Sequence, residues 1–500
     1  MSAGIDENDR HIFPRWRSFR ATSDLGELTS PAIGHDNDTT DLDVSLAKGI
    51  ASWEGDPSLW RGLDLLGSAI VAGRLDDFSA LIASIKSNPL APRISRDLLE
   101  RTRTPQAVQL DLPDYEQIPN LVAQREIQKR RSQLALVPRD PIEWVELARF
   151  YTIAGVNNKA KKAILAALQL APHNRFVLRS AARFFIHVGD KDEAHNLLSK
   201  TSTIKEDPWL LASEIAIADS MGKASRFSRI ARKKIDADVP PSELTELASA
   251  LGSLEADSGN HRIARRFLRQ ALVKANENSI AQIQWLNRAR LGEAIDVSEA
   301  NPPLLHEANA WSYYYKGDFP AARDESLCWL RDQPFASAPA SLSSYILAEL
   351  LADYPTGKAI TSAALRSNPA DSTLLNNLAV CLIELGELPE AEQILSRLQM
   401  EVNDKKVNAV YKATFGKLAF RKGDIERGRL LYLEAIQEAK DSNIKATAAR
   451  AAIHLATEEV IADTPLIGEA IQRLKEYKEY ESSNEIASLL DRMNELLQRS

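Results

Sequence analysis

The sequence repeats itself at an interval of 34 residues. The clearest copy is PIEWVELARFYTIAGVNNKAKKAILAALQLAP, residues 141–172. Its first half places Trp144, Leu147, Ala148 and Tyr151 at helical spacing. Asp140 stands where a helix is capped, Pro141 suits the first helical position, and Glu143 is placed to reach back to the cap. Gly155 interrupts the run where a chain would reverse direction. A second run, Ala160, Ile164, Ala167 and Leu168, ends at Pro172. One interval later stand Leu178, Ala182, Phe185, Gly189, Ala194 and Leu198. A helix pair of this size cannot bury its apolar face alone, so it must stack on another copy. Five hundred residues built this way need no single large core.

The order large, large, small, large, Gly, small, large, small and Pro within 34 residues resembles the tetratricopeptide repeat (TPR). That resemblance implies an all-α fold, a TPR-like α-solenoid in which antiparallel helix pairs wind into a superhelix. It also implies a protein that binds other proteins. The expected organisation is a mostly disordered N-terminal segment at 1–44, a helical capping region at 45–140, one repeat arm at 141–300, a second at 301–480, and a C-terminal capping helix at 481–500.

Along the chain, a degenerate pair turns at Gly73, a Pro-rich stretch at 89–116 holds one short helix near Ser95 to Arg101, and a longer helix spans Ile118 to Leu136. In the third repeat Phe227 occupies a place where a small residue is expected. Residues 279–302 are irregular, reading as a helix around Trp285 followed by a break at Pro302-Pro303 that divides the two arms. The second arm carries its turns at Gly317, Gly386 and Gly423. The last of these offsets is 37 residues, which fits three extra residues in the polar loop around Asn403 to Lys406. Residues 482–499 present Ile486, Leu489, Leu490, Met493, Leu496 and Leu497, as a helix covering the last repeat would. Trp144, Trp209, Trp285, Trp311 and the Tyr313–Tyr315 run are expected to pack between helices.

Hydrophobic residues make up 44% and charged residues 26%, ordinary for a water-exposed chain. A net charge of −7 argues against broad nucleic-acid binding. The two cysteines, Cys328 and Cys381, are too few and too far apart for a disulfide framework, so a reducing cytoplasm is expected. No apolar run at the start reads as a secretion signal, and none approaches about 18 residues. There is no phosphate loop, HExxH, paired CxxC or GxSxG. The eight histidines are scattered, and His187 and His195 straddle the turn at Gly189. Asp36 to Asp41 echoes a calcium loop but lacks its central Gly, and Ala47 stands where its closing Glu would be. No enzyme activity, cofactor or metal is expected.

Two stretches suggest partners. Near the N-terminus, RHIFPRWRSFR interleaves Arg15, Arg17 and Arg20 with Phe13, Trp16 and Phe19, and Pro14 forbids a continuous helix. Phe13, Arg15, Trp16 and Arg17 fit either a docking motif for a partner's groove or packing on this chain's own helices. The segment resembles the opening of bacterial repeat proteins with a comparable PRWR, a likeness that suggests a bacterial multi-protein system of defence or stress and names no activity. In the TPR family the first helix of each repeat lines the inner surface. That resemblance places Arg179, Arg183 and His187 at inward positions of the second repeat, with Arg175 leading the stripe and Arg149 joining from the first. Such a stripe fits an acidic peptide or a C-terminal carboxylate. In the second arm Asn376 and Asn377 could bond a peptide backbone, with Lys417 and Arg421 beside them. The alternative for each is an ordinary polar surface or an intrachain ion pair. The expected role is therefore a protein-interaction scaffold or adaptor. A helical-repeat protein reading nucleic acid, or a structural subunit that self-associates, remains the alternative. No membrane contact is expected.

Overall fold

The computed structural model describes residues 10–19, 42–71, 74–91, 99, 119–237, 239, 241–398, 405–480 and 483–499. Arg20, the acidic stretch at 36–41, the turn at Gly73, the short helix near Ser95 to Arg101, and Asn403 with Asp404 lie outside them. Every regular element among the described residues is helical. None of these helices is long and apolar enough to cross a membrane. The chain divides into two compact units, one of Glu7–Pro113 with Leu121–Leu305 and one built on His306–Ser500, with which Asp114–Asn120 group.

In the N-terminal unit, α1 (Leu42–Gly55), α2 (Leu59–Val71) and α3 (Ser79–Ser87) close around Leu46, Leu65, Leu66, Leu81, Ile82 and Ile85. Helix α4 (Pro119–Leu136) follows. The repeats then run α5 (Pro141–Ile153) with α6 (Asn157–Leu170), α7 (Arg175–His187) with α8 (Lys191–Lys200), α9 (Pro208–Asp219) with α10 (Ser228–Ile235), and α11 (Pro241–Asp257) with α12 (His261–Leu272). Helix α13 (Glu277–Ala289) ends the unit. Each first helix packs on its own partner and on the first helix of the next repeat. This is the stacking that the 34-residue pattern demands. Ala148, Ala160, Ala182 and Ala194 are all fully buried, which lets paired axes approach closely.

Local chemistry sets the boundaries. The Asp140 carboxylate accepts the Ile142 and Glu143 amides at 3.0 and 3.1 Å, and Asp207 caps α9 in the same way. The Glu143 side chain reaches toward α4. Both its oxygens accept from one nitrogen, Nη1, of the Arg130 guanidinium of α4, at 2.9 and 2.8 Å. Phe227 is 4% exposed and sits just ahead of α10, which has 8 residues. Leu304, immediately after Pro303, takes a φ of +63° where the helices of the first unit end.

The C-terminal unit comprises α14 (His306–Lys316), α15 (Phe319–Asp332), α16 (Ser337–Tyr345) continued by a π-helical turn at Ile346–Leu350, and α17 (Tyr354–Ser367). Then come α18 (Ser372–Glu384), α19 (Leu388–Leu395), α20 (Lys405–Arg421), α21 (Ile425–Asp441), α22 (Lys445–Ile461), α23 (Ile467–Leu474) and α24 (Asn484–Arg499). Ile486, Leu489 and Met493 of α24 join the core formed by α20, α21 and α22, while Leu497 is 38% exposed. Trp209 and Trp285 are buried, as packing residues should be, whereas Tyr315 at the end of α14 is exposed.

Helices α20 and α21 approach closely at Gly416 and Gly428. A Cβ built on Gly428 would lie 3.0 Å from the Gly416 carbonyl oxygen and 3.0 Å from the Phe420 amide nitrogen. These are backbone atoms, so the two helices would have to separate. Gly428→Ala should therefore cost about 1–3 kcal/mol of unfolding free energy in denaturant titration, the usual cost of overpacking.

Candidate partner-binding groove

The first helices of the N-terminal unit carry an unusual density of buried charge. Arg175, Arg179, Glu146, Glu214, Glu246 and Glu277 are each under a tenth exposed. A buried charge is tolerated only when paired. The Arg175 guanidinium donates to Asp207 at 2.7 Å and lies 3.1 Å from Glu243. Arg179 donates to Glu246 at 2.8 Å and stacks over the Trp209 ring at 4.6 Å. These two arginines thus tie α7 to α9 and α11. Arg149 is buried with its guanidinium 5.5 Å from the Phe150 ring, and His187 is half-buried at the end of α7. Arg183 is half-buried, and burial, aided by the like charge of Arg15, pushes its guanidinium down to about 10.

Arg15 belongs to the extended segment at residues 10–19, and that segment lies along these helices. Ile12, Pro14, Trp16, Arg17 and Phe19 are buried there. Trp16 is 0% exposed and meets Phe184 of α7 edge to face at 6.3 Å. Phe19 meets Phe176 at 5.2 Å in the same geometry. Each aromatic pair adds about 0.5–1.5 kcal/mol to what burial alone provides. The Lys191 ammonium sits 5.9 Å from the Phe13 ring. Residues expected in a mostly disordered stretch are therefore packed, because their aromatic rings find apolar surface between α7 and its neighbours.

Polar contacts set the register of the segment. Asn278 and Gln282, one turn apart on α13, donate side-chain amides to the carbonyls of Phe13 and Arg10, both at 3.0 Å. The Arg10 guanidinium donates in return to Asn278 Oδ1 at 3.1 Å and to Gln282. At the other end, Phe19 donates its backbone amide to Glu146 at 2.6 Å. Charge complementarity adds two contacts. Arg17 is paired with Glu277, and His11 Nδ1 lies 3.3 Å from Asp219. Helices α5, α7, α9 and α13 together hold an extended chain by its backbone and by its basic and aromatic side chains. The sequence singles out Asn376 and Asn377 as amides that could bond a peptide backbone. The amides that meet the backbone of this segment are Asn278 and Gln282, in a stretch whose weak periodicity concealed them. Their signal was acidic and amide residues on first helices, matching a basic segment far away in sequence.

The second set of expected residues lies inside the C-terminal unit. Asn376 and Asn377 are fully buried, and Asn377 donates to Ser344 at 3.0 Å, joining α18 to α16. The buried Lys417 ammonium pairs with Glu384 and lies 3.7 Å from Glu458. Arg421 bridges the same two carboxylates at 3.1 and 2.7 Å. Beside them His454 sits 3.1 Å from Glu349 on the π-helical turn, and burial pushes its imidazole down despite that carboxylate. Helix α24 adds a further layer. Glu485 accepts from Arg450 and Tyr314, both at 2.9 Å, and Arg492 donates to the Glu349 carbonyl at 2.9 Å.

The family model described as tetratricopeptide repeat matches residues 351–414. No curated protein matches the chain. Among solved structures, a human IFIT1 dimer with PPP-AAAA is similar over 78% of this chain and 96% of its own, at 18% identity and a TM-score of 0.36. The Cut9–Hcn1 assembly of the APC/C is similar over 90% and 93%, at 11% identity and a TM-score of 0.36. Yeast Tom70 is similar over 76% and 93%, at 13% identity and a TM-score of 0.28.

Two expected outcomes test these networks. Removing Arg179 leaves the buried Glu246 carboxylate without its cation and held by the amides of Asn276 and Asn278, so Arg179→Ala should lose about 3–5 kcal/mol of stability in denaturant titration. Burial alone would raise Glu384, but Lys417 and Arg421 outweigh it and hold the carboxyl at about 2. That value lies below the roughly 4.3 of an unfolded glutamate. The stabilisation is therefore complete above about pH 4.3 and is lost as pH falls toward 2. The unfolding free energy of Glu384→Gln should decline less over that window than the wild type's.

Proposed function

We propose that this tetratricopeptide-repeat protein is a non-enzymatic interaction scaffold whose binding surface is the first-helix face of its N-terminal unit. The observation that carries the reading is the pair Asn278 and Gln282 bonding two carbonyls of an extended segment. Amides spaced one turn apart on a helix recognise a peptide backbone whatever its side chains, and neighbouring pockets then select among sequences. Two of the arginines expected to clamp an acidic peptide, Arg175 and Arg179, are engaged within the fold at Asp207, Glu243 and Glu246, which weighs against a carboxylate ligand. The likeness of the PRWR opening to bacterial repeat proteins supports a place in a bacterial multi-protein system of defence or stress. The free thiols of Cys328 and Cys381 are in keeping with a reducing compartment.

Affinity purification from the native cell tests this reading when three full-length chains are compared. The wild type should retain a partner protein, Trp16→Ala should retain more of it, and the double variant Asn278→Ala, Gln282→Ala should retain less. The same partners at equal yield from all three, or nucleic acid as the sole companion, would overturn the scaffold assignment to this face.

A further inference from the structure

The groove is occupied by its own chain, and the chemistry of that occupant describes the ligand the groove is built to take. We infer that the N-terminal unit binds, on a separate partner protein, an extended segment carrying a tryptophan followed by an arginine, and that residues 10–19 are an internal copy of that ligand which sets the threshold for its binding. This inference rests on the scaffold reading above and names the partner class for the same surface.

Three features define the ligand. Trp16 is fully buried against Phe184, so the groove contains a site of indole size. The Glu277 carboxylate, 6% exposed, pairs with Arg17, so the position after the tryptophan calls for a cation. Asn278 and Gln282 meet the Arg10 side chain as well as two backbone carbonyls, and Glu146 meets a backbone amide; the three backbone contacts call for an extended chain, which Pro14 favours by forbidding a helix. An acidic peptide would set its carboxylates against Glu146, Asp219 and Glu277, which excludes the class that the arginine stripe by itself suggested.

Occupation in cis has a quantitative consequence. An attached ligand competes at an effective concentration fixed by its tether, commonly in the millimolar range. An external segment of equal intrinsic affinity is held off until it is abundant, multivalent or better matched. Binding then exposes Trp16 and Phe19, so engagement of a partner also presents the chain's own basic–aromatic segment to other molecules.

The test uses the full-length chain and a fluorescent peptide of residues 10–19, followed by anisotropy. Trp16→Ala should bind the peptide at least tenfold more tightly than the wild type, and Arg17→Ala, which spares the indole, should shift affinity in the same direction. A peptide carrying Arg17→Glu should fail on the Trp16→Ala chain and recover on the chain that also carries Glu277→Arg. Circular dichroism must show each chain folded, and Arg17→Ala supplies the answer if Trp16→Ala does not fold. If no released chain binds the peptide while the native partner is still retained, the ligand class falls and the scaffold reading stands. If neither is bound, both fall. A concentration-dependent wild-type dimer abolished by Glu277→Arg would put a second copy's segment in the groove and overturn the separate-partner assignment.

Discussion

Stacking one helix pair on the next is the constraint from which the remaining features follow. Each repeat leaves an apolar face that only its successor can cover, so the first helices of successive repeats lie side by side. Polar residues on those helices are then partly enclosed by neighbours, and their charges must be matched within a confined, weakly screened space. This is why Arg179 meets Glu246, and Lys417 meets Glu384, rather than water. The ion pairs add specificity to the stacking: a slip of one repeat would strand several buried charges at once.

The two units present these helix faces differently. In the N-terminal unit an extended segment from the chain's beginning lies there, held by backbone hydrogen bonds and aromatic burial. In the C-terminal unit a regular helix, α24, packs its apolar side on α20 to α22 and turns Glu485 and Arg492 toward Tyr314, Arg450 and Glu349. An extended segment exposes amides and carbonyls that a groove can read. A helix has satisfied most of its own and offers side chains alone. The first arrangement is the one on which the proposed binding surface rests.

Much of the fold was legible beforehand. The turns at Gly155, Gly189, Gly317 and Gly423 all adopt positive φ, and where the pattern lacks glycine Ala352 takes the same conformation. Helical spacing reports such things because it is a local property. The irregular stretch after Asn276 was less legible: its helix α13 is well formed, but Ser279, Gln282 and Asn287 interrupt the apolar period with residues that serve contacts elsewhere.

By itself the sequence determined the repeat, its helix pairs and turns, the stacking that follows from them, and a basic–aromatic segment in need of an apolar, acidic surface. Which surface receives that segment was decided only by tertiary structure. Arg17 and Glu277 are 260 positions apart, and no periodicity links residues at that separation. The arginine stripe shows the same limit from the other side. Its spacing on α7 was readable, but whether those charges would face a ligand or a neighbouring carboxylate depended on Asp207, Glu243 and Glu246, which stacking alone brings within reach.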